Sequence, residues 1–323
     1  MRAVVVTEPG GPQQLTIAEV PDPVPGPGEL LIRVVAAGVN RADLLQRQGF
    51  YPPPAGISDV IGLEVSGHVE ALGEGVAGWS PGDEVVALLA GGGYAELAVV
   101  PAAHCCRPPR GMDLVTAGGL IEVAATVVSN LEHVGYRGGE SVLVHGGTGG
   151  IGAFAIQYVT ARGGRVLATA GTAQKLDTCR ALGADVAIDY HEDWAAAVSE
   201  ATGGAGVDVI LDVVGAKYLE PNVASLARNG RLVVIGLQGG RRGTLDLNAL
   251  LRKNALVTAT TLRFSPTERK ADIVAMVARD VWPLYEAGTI APPAETRFPL
   301  EDARQAHEWL ESGAASGKAV LVV

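Results

Sequence analysis

Glycines with the spacing of a phosphate-binding turn stand between a strand pattern and a helix pattern in the middle of the chain. Gly147, Gly149 and Gly152 follow the apolar run 142–144 and lead into an apolar segment with helical periodicity. In this spacing the first glycine permits a tight turn, the second lets a pyrophosphate approach the backbone, and the third lets helix and strand pack closely. The unpaired N–H groups at the helix start would face the phosphates. Residues 142–152 therefore predict a dinucleotide site.

The residues after the next strand pattern, 165–169, favour NADPH over NADH. An NADH site usually has Asp or Glu there to accept a hydrogen bond from the ribose 2′-hydroxyl. Residues 168–175 contain no acid, whereas Lys175 can bind a 2′-phosphate. Tyr190 ends the following strand pattern at the same sheet edge, so its hydroxyl is expected to reach the same phosphate.

The periodicity predicts an α/β protein of two domains. Short strand patterns at 2–7, 14–20, 29–37, 64–72, 84–89 and 94–100 are broken by Gly and Pro, which indicates a β-rich, barrel-like domain. From residue 113, helices at 114–133, 151–162, 174–182, 194–202 and 218–226 alternate with strands at 141–145, 165–169, 186–189, 207–213 and 231–235. Continuous Val, Ile and Leu runs are typical of a doubly wound parallel sheet. Helices at 267–287 and 300–312 and a strand at 319–323 would return to the first domain.

Composition excludes several classes of protein. With a net charge of −10 and scattered basic residues, the chain lacks the basic surface that nucleic-acid binding needs. No apolar run is long enough to span a membrane, and no leader pattern begins the chain, so we expect a cytoplasmic protein. Its 3 cysteines cannot form a disulfide framework. The adjacent residues His104, Cys105 and Cys106 do not have the spacing of a metal site.

Several motifs together resemble the zinc-independent quinone oxidoreductases of the medium-chain dehydrogenase/reductase superfamily. These are VPGPGE at 24–29, AGVNRAD at 37–43, GFYPPP at 49–54, GLEVSG at 62–67, the glycine turn, and GKAVL at 317–321. The resemblance covers nearly the whole chain. Within the family, NRADLLQRQG followed by YPPP is most similar to the subgroup that includes the p53-inducible quinone reductase.

The resemblance implies a GroES-like β domain, formed by 1–120 with 261–323, and a Rossmann domain at 121–260. It further implies NADPH as cofactor, flavin-free hydride transfer to a quinone, and a homodimer whose Rossmann sheets join edge to edge near 245–262. Zinc-dependent relatives have Cys where this chain has Asn40 and His where it has Leu63, and they carry a four-cysteine lobe that is absent here. Without a Lewis acid to ionise an alcohol, alcohol dehydrogenation is disfavoured.

The resemblance also assigns site residues by position. Gly149, Gly150 and Ile151 are expected at the pyrophosphate, with Gly147 and Gly152 shaping the turn; Gly171, Lys175 and Tyr190 around the 2′-phosphate; and Asn40, Thr126, Val214, Gly215, Gly236, Leu237, Leu262 and Arg263 along the nicotinamide half. Tyr51 and Asn40 are the expected catalytic donors to the quinone oxygen. Asn40 also suits a helix N-cap with Asp43 in the first turn, while Asp43 and Glu64 are expected to hold local backbone.

Two other functions remain open from the sequence. One is an NADPH-dependent reductase of α,β-unsaturated ketones or enoyl thioesters, which needs a positioned acid, and Tyr51 is the candidate. The other is a non-catalytic NADPH-binding structural or RNA-binding protein. The acidic charge argues against RNA binding, and the complete glycine turn together with Tyr51 argues against a loss of catalysis. Turnover on quinones and enones separates the three.

Overall fold

The computed structural model describes residues 1–313 and 315–323, which form two compact units. The first unit comprises Met1–Ala125 and Leu262–Val323, and the second comprises Thr126–Thr261. The first boundary falls within the helix Ile121–His133. None of the helices in the described part of the chain has the length and apolarity needed to span a bilayer.

The first unit is built on β-strands with a few short helices. Its elements before residue 125 are β1 (Arg2–Val6), β2 (Leu15–Glu19), β3 (Glu29–Val39), α1 (Arg41–Arg47), β4 (Glu64–Leu72), β5 (Glu84–Leu88), β6 (Leu97–Pro101), β7 (Cys105–Cys106) and α2 (Leu114–Ala117), followed by the start of α3 (Ile121–His133). β3 pairs antiparallel with β4 and β6, and inward-facing residues such as Ile32 and Val65 are fully buried.

The second unit is a parallel sheet with intervening helices. After α3, it contains β8 (Ser141–His145), α4 (Gly150–Ala161), β9 (Arg165–Ala170), α5 (Ala173–Ala181), β10 (Val186–Asp189), α6 (Trp194–Ala201), β11 (Val207–Asp212), α7 (Leu219–Ser225), β12 (Leu226–Val234), α8 (Leu247–Lys253) and β13 (Leu256–Ala259). The strands lie in the order β10-β9-β8-β11-β12-β13, and all neighbours are parallel. This is the 3-2-1-4-5-6 order of a Rossmann sheet, in which ligands bind beyond the carboxyl ends of the strands.

The end of the chain belongs to the first unit. It contains α9 (Thr267–Asp280), α10 (Trp282–Glu286), β14 (Glu295–Pro299), α11 (Ala303–Glu311) and β15 (Lys318–Val322). β15 pairs antiparallel with β3 and sets Ala319 opposite Val39. The resulting sheet has the order β14-β15-β3-β4-β5-β7. Through this register, Lys318 comes beside the end of β3, where Asn40 lies.

Several sequence predictions differ from the structure, two of them for a local reason. The helix predicted at 114–133 divides after α2, because Gly118 lies so close to β3 and β4 that a Cβ atom there would be 2.9 Å from Ala36 Cβ. The helix predicted at 267–287 divides near Val281, since Pro283 has no N–H to continue the ladder. The strand predicted to begin at residue 94 begins at Leu97, and the strand predicted at 231–235 begins at Leu226. The strands β7, β13 and β14 and the helix α8 were not predicted.

Candidate functional site

The glycine turn joins β8 to α4 in the second unit. Gly149 is the N-cap of α4 and offers no side chain to cap the helix, and Gly150 and Ile151 form the first turn. A Cβ atom on Gly152 would lie 2.2 Å from the carbonyl oxygen of Gly146. A Cβ on Gly147 would lie 2.6 Å from Cys179 Sγ, whereas one on Gly149 would meet no atom closer than 3.6 Å. The turn therefore has no space for a side chain at Gly147 or Gly152, whereas its side at Gly149 is open. A dinucleotide pyrophosphate that binds at a helix N-terminus requires such an open side.

The residues expected around a 2′-phosphate lie at the ends of β9 and β10. Gly171 follows β9, and a Cβ atom there would lie 2.4 Å from the phenol end of Tyr190, so the Tyr190 ring covers the Gly171 backbone. Lys175 is in the first turn of α5, where its N–H donates to the N-cap oxygen of Thr172 at 3.2 Å. Tyr190 is 44 % exposed, and its ring centre lies 4.6 Å from that of His191 with the two planes tilted by 39°. The structure thus brings Gly171 and Tyr190 together and sets Lys175 one turn from Gly171.

The turns after β11 and β12 contact each other directly. Gly215 has φ 81°, and its neighbour Val214 accepts a hydrogen bond from the N–H of Gly239 at 2.7 Å. A Cβ atom on Gly236 would lie 2.7 Å from the carbonyl oxygen of Val213. Leu237 is exposed beside these turns. The predicted residues Val214, Gly215, Gly236 and Leu237 therefore form one surface at the sheet edge.

Thr126, the remaining predicted residue of this unit, lies on α3. Its carbonyl oxygen accepts a hydrogen bond from Asn130 Nδ2 at 2.7 Å. The oxygen of the Asn130 side chain accepts from the hydroxyl of Thr260 at 2.5 Å, which ties this turn of α3 to the segment after β13.

In the first unit, a buried cluster of three side chains surrounds Asn40. The ammonium of Lys318 donates to Asn40 Oδ1 at 2.5 Å and lies 2.6 Å from Glu64 Oε1. Asn40 Nδ2 donates to the same Glu64 oxygen at 2.9 Å and reaches the Gly38 carbonyl at 3.4 Å. The second Glu64 oxygen accepts from the N–H of Glu122 at 2.9 Å, so Glu64 holds backbone 58 positions away rather than the local backbone that was predicted. Lys318 was not predicted as a partner of Asn40.

Asp43 secures the start of α1 beneath this cluster. Asn40 is the N-cap of α1, and its backbone N–H donates to Asp43 Oδ2 at 2.7 Å, as the predicted backbone role of Asp43 requires. The same carboxylate oxygen accepts from the hydroxyl of Tyr94 at 3.0 Å. Burial raises the pKa of Asp43 to about 7, against the lowering effect of these two hydrogen bonds.

Arg263 fixes the segment that carries Tyr51. Its guanidinium is buried and donates to the carbonyl oxygens of Ala90 at 2.6 Å and Tyr51 at 3.0 Å, and to Gln46 Oε1 at 2.8 Å. It also lies 5.3 Å from the centre of the Tyr51 ring, which Phe264 contacts edge-on. Burial lowers the pKa of Arg263. Arg263 and its half-buried neighbour Leu262 were predicted as cofactor contacts, which stays a prediction; the support of Tyr51 was missed.

Sequence reasoning also missed the buried polar residues below the Rossmann turns. Asp212, at the end of β11, accepts hydrogen bonds from the N–H groups of Val214 at 2.6 Å and Gly215 at 3.0 Å. An acid that ends an otherwise apolar strand was the available signal. For metals, the described residues contain no cluster of three or more His, Cys, Asp or Glu side chains able to hold an ion.

Comparison with known proteins identifies the family. Residues 26–110 match the alcohol dehydrogenase GroES-like domain, and residues 150–279 match the zinc-binding dehydrogenase domain. A protein of Pseudomonas aeruginosa named quinone oxidoreductase is 34 % identical over 319 residues, which are 97 % of each chain. Among solved structures, a mycobacterial protein complexed with NADPH is 37 % identical with a TM-score of 0.91, and Escherichia coli quinone oxidoreductase complexed with NADPH is 30 % identical with a TM-score of 0.91; both alignments cover 100 % of each chain.

These matches confirm the predicted combination of a GroES-like domain with a Rossmann sheet. The alignments with these solved structures cover the whole chain, so both domains are shared with these relatives. The chain therefore belongs to the medium-chain dehydrogenase/reductase superfamily of oxidoreductases, with relatives named quinone oxidoreductases along its full length.

Proposed function

We propose that this protein is an NADPH-dependent quinone oxidoreductase that works without flavin and without zinc. The observation that carries the proposal is the buried ammonium of Lys318, 2.5 Å from Asn40 Oδ1 and 2.6 Å from Glu64. A fixed cation thus holds the side chain that stands where zinc-dependent relatives have a cysteine. Leu63, at the position of their histidine, offers only hydrocarbon. This set of groups suits hydride transfer to an acceptor that needs no Lewis acid.

NADPH is the cofactor that the second unit suits best. The pyrophosphate would lie over Gly149 and Gly150, at the uncapped N-terminus of α4. The 2′-phosphate would lie between the ammonium of Lys175 and the hydroxyl of Tyr190, since no carboxylate follows β9 to compete for it. The relatives solved with NADPH support this assignment. When bound, NADPH supplies the hydride.

Tyr51 is the residue that we assign to the quinone oxygen. Hydride addition leaves negative charge on that oxygen, and a positioned neutral donor stabilises it. The backbone oxygen of Tyr51 is held by Arg263 at 3.0 Å and its ring lies between Arg263 and Phe264, so the side chain is held in place at a partly exposed position.

Asn40 would provide the second hydrogen bond to the quinone oxygen. The donor would be the amide proton that makes the longer of its two contacts. One amide proton is directed at Glu64 at 2.9 Å, and the other reaches the Gly38 carbonyl at 3.4 Å. The longer contact lies beyond the usual range of an N–H···O hydrogen bond, so exchanging it for a quinone oxygen costs little. Lys318 leaves the Asn40 oxygen occupied, so the amide nitrogen is the group that is available.

The location that we propose is the cytoplasm. The three cysteines, Cys105, Cys106 and Cys179, are unpaired thiols in the structure, and two of them are buried. Unpaired thiols suit a reducing compartment.

The experiment that tests the function measures NADPH and NADH oxidation by the purified full-length protein with a 1,2-quinone, a 1,4-quinone and an enone. We expect turnover with quinones and a preference for NADPH. Tyr51→Phe should lower turnover about tenfold or more with little change in NADPH affinity, because it removes a donor to developing charge. Tyr136→Phe is the matched control, since the Tyr136 hydroxyl is buried without a hydrogen-bond partner.

The other outcomes separate the alternatives. Turnover on the enone alone would identify an enone reductase instead. NADPH binding without turnover on any acceptor would favour a non-catalytic protein. Turnover that a chelator such as 1,10-phenanthroline abolishes, and that zinc restores, would overturn the zinc-free mechanism.

A further inference from the structure

A continuous chain of hydrogen bonds runs through the interior of the second unit, beneath the turns that follow the strands. It begins at the glycine turn, where the N–H of Gly147 donates to the backbone oxygen of Thr169 at 2.9 Å and the N–H of Gly146 makes a longer contact of 3.3 Å with Thr169 Oγ1. Thr169 Oγ1 lies 3.1 Å from Nδ1 of His145, and Nε2 of His145 lies 2.7 Å from Asn222 Oδ1. Thr169, His145 and Asn222 are all buried. The chain thus connects the ends of β8 and β9 with α7.

The hydrogen-bond chain ends at Asp212, which supports the turn after β11. Asn222 Nδ2 donates to Asp212 Oδ2 at 3.1 Å. Asp212 Oδ2 also accepts from the N–H of Gly215 at 3.0 Å, and Oδ1 accepts from the N–H of Val214 at 2.6 Å. Asp212 is 0 % exposed. One carboxylate therefore fixes two successive N–H groups of the turn after β11.

A single arrangement of protons satisfies every member of the chain. A carboxylate only accepts, so the Asn222 atom that faces Asp212 is the amide nitrogen and its oxygen faces His145. His145 Nε2 must then carry the proton, and Nδ1 must accept from the Thr169 hydroxyl. Thr169 Oγ1 in turn accepts from Gly146. All donors point from the glycine turn toward Asp212, which fixes both the His145 tautomer and the side-chain orientations.

The surroundings keep this arrangement neutral except at its end. The rings of Trp194 and Tyr218 each lie 4.8 Å from the His145 ring, and burial lowers the pKa of His145 to about 4. Burial raises the pKa of Asp212 to about 6, whereas the N–H groups of Val214 and Gly215, which donate to both of its oxygens, favour the ionised form. The φ of 81° at Gly215 is one of several conformations that glycine adopts readily, and the two hydrogen bonds to Asp212 select it.

We propose that Asp212 is a positioning residue for NADPH: it holds the Val214–Gly215 turn in place for the nicotinamide half, and Asn222, His145 and Thr169 couple that turn to the glycine turn at the pyrophosphate. The inference rests on the proposed NADPH site. It adds a set of residues that touch no part of the cofactor and that set the relative arrangement of the two turns that do. Because the hydrogen-bond chain is buried and each of its groups has a partner, removing one group leaves its neighbour without a hydrogen bond.

The test compares two ligands on the full-length protein. NADPH reaches both turns, whereas adenosine 2′,5′-bisphosphate lacks the nicotinamide half and would reach only the 2′-phosphate site and the glycine turn. In Asp212→Asn, one carboxylate oxygen becomes an NH₂ group. That group would face an N–H donor from which the oxygen accepted a hydrogen bond. We expect it to weaken NADPH binding about tenfold or more and binding of the bisphosphate less than about threefold.

Two further variants keep the result interpretable. Asp208→Asn is the matched control, because Asp208 lies at the start of the same strand, where its carboxylate accepts from Ser141 N at 2.8 Å and Oγ at 2.6 Å. It should lower stability and leave the ratio of the two affinities unchanged. Thr169→Val removes one hydroxyl from the hydrogen-bond chain and keeps nearly the same side-chain shape. It should shift the ratio of the two affinities in the same direction as Asp212→Asn, so the inference can still be tested if Asp212→Asn does not fold.

Three results would overturn the inference. An equal loss of affinity for both ligands would make the chain a general support of the fold. Unchanged affinity for both ligands in Asp212→Asn and Thr169→Val would show that the turns are independent of the hydrogen-bond chain. A shifted affinity ratio in Asp208→Asn would show that the effect is not specific to Asp212. Wild-type protein that binds neither ligand would contradict the proposed function itself, which keeps the two failures distinct.

Discussion

Lys318 Nζ lies 2.6 Å from Glu64 Oε1, and both side chains are almost completely buried. The pair joins the first residue of β15 to the first residue of β4, and it holds Asn40 between them. A buried ion pair contributes modestly as a whole, but removing one partner leaves an uncompensated charge in the interior. The pair therefore matters most when it is broken.

We expect Lys318→Met to lower the free energy of unfolding by about 3 to 5 kcal/mol, because Glu64 would remain buried without its cation. Urea unfolding measures the change. The control is Arg33→Met, which breaks an exposed pair with Glu70 and should cost less than about 1 kcal/mol. The double variant Lys318→Met with Glu64→Gln should recover part of the loss; no recovery would mean that the stranded charge is not the cause.

The choice between NADPH and NADH provides the second prediction. Lys175→Ala removes the cation expected at the 2′-phosphate, so kcat/KM with NADPH should fall about tenfold to a hundredfold while the value with NADH stays nearly constant. Arg180→Ala removes a cation from the same helix, where it pairs with Asp177 on the exposed surface. Steady-state kinetics with both cofactors should show no selectivity change in that control. An equal change with both cofactors in Lys175→Ala would remove Lys175 from the phosphate site.

The sequence was most informative where a pattern is local. The glycine spacing predicted the turn between β8 and α4, and the apolar runs predicted β8, β9, β10 and β11 to within about one residue. These alternating elements predicted a doubly wound parallel sheet, whereas its strand order had to be observed, because one-handed crossovers are compatible with more than one order. β13 escaped prediction, since the short segment Leu256–Ala259 is half exposed and lacks the apolar run of the central strands.

The long-range contacts of the site could not be predicted from residue types. Lys318 reaches Asn40 across 278 positions, and Arg263 reaches Tyr51 across 212. These distances in sequence close only when β15 pairs with β3 and when the segment after residue 262 returns to the first unit. Spacing in the sequence identifies groups on one turn or one helix, whereas such contacts depend on tertiary register.

The buried histidine His307 gives a prediction on pH. Burial and the neighbouring guanidinium of Arg47 lower its pKa to about 3, against about 6.5 in an unfolded chain. Between those values the unfolded state binds a proton that the folded state does not, so stability is complete above pH 6.5 and decreases as the pH falls. Asp43 works in the opposite direction, because its raised pKa of about 7 lets the folded state keep a proton that the unfolded state has lost.

A variant isolates the histidine contribution from that of Asp43. The stability difference between wild type and His307→Gln should shift in favour of the variant by about 1.4 kcal/mol per pH unit as the pH falls from 6 to 4. Urea unfolding at several pH values measures this shift. Trp309→Phe, on the same helix and without a titratable group, is the control and should show no slope. A difference for His307→Gln that does not depend on pH would mean that the histidine is accessible to protons in the folded state.

The edge of the Rossmann sheet provides the last prediction, which concerns assembly. β13 is the edge strand, and next to it in the chain α8 carries Leu247 and Leu251, which are 66 % and 79 % exposed. Leu256, in β13 itself, is exposed as well. An open edge flanked by exposed leucines suits pairing with the same edge of a second copy, because an isologous contact buries both edges at once.

Light scattering after size exclusion should therefore show a dimer, and Leu251→Asp combined with Leu256→Lys should shift it to a monomer without loss of secondary structure. Val24→Asp, at an 85 % exposed apolar position in the first unit, should leave the dimer unchanged. A monomeric wild type, or a dimer that survives both leucine substitutions, would exclude this edge as the interface.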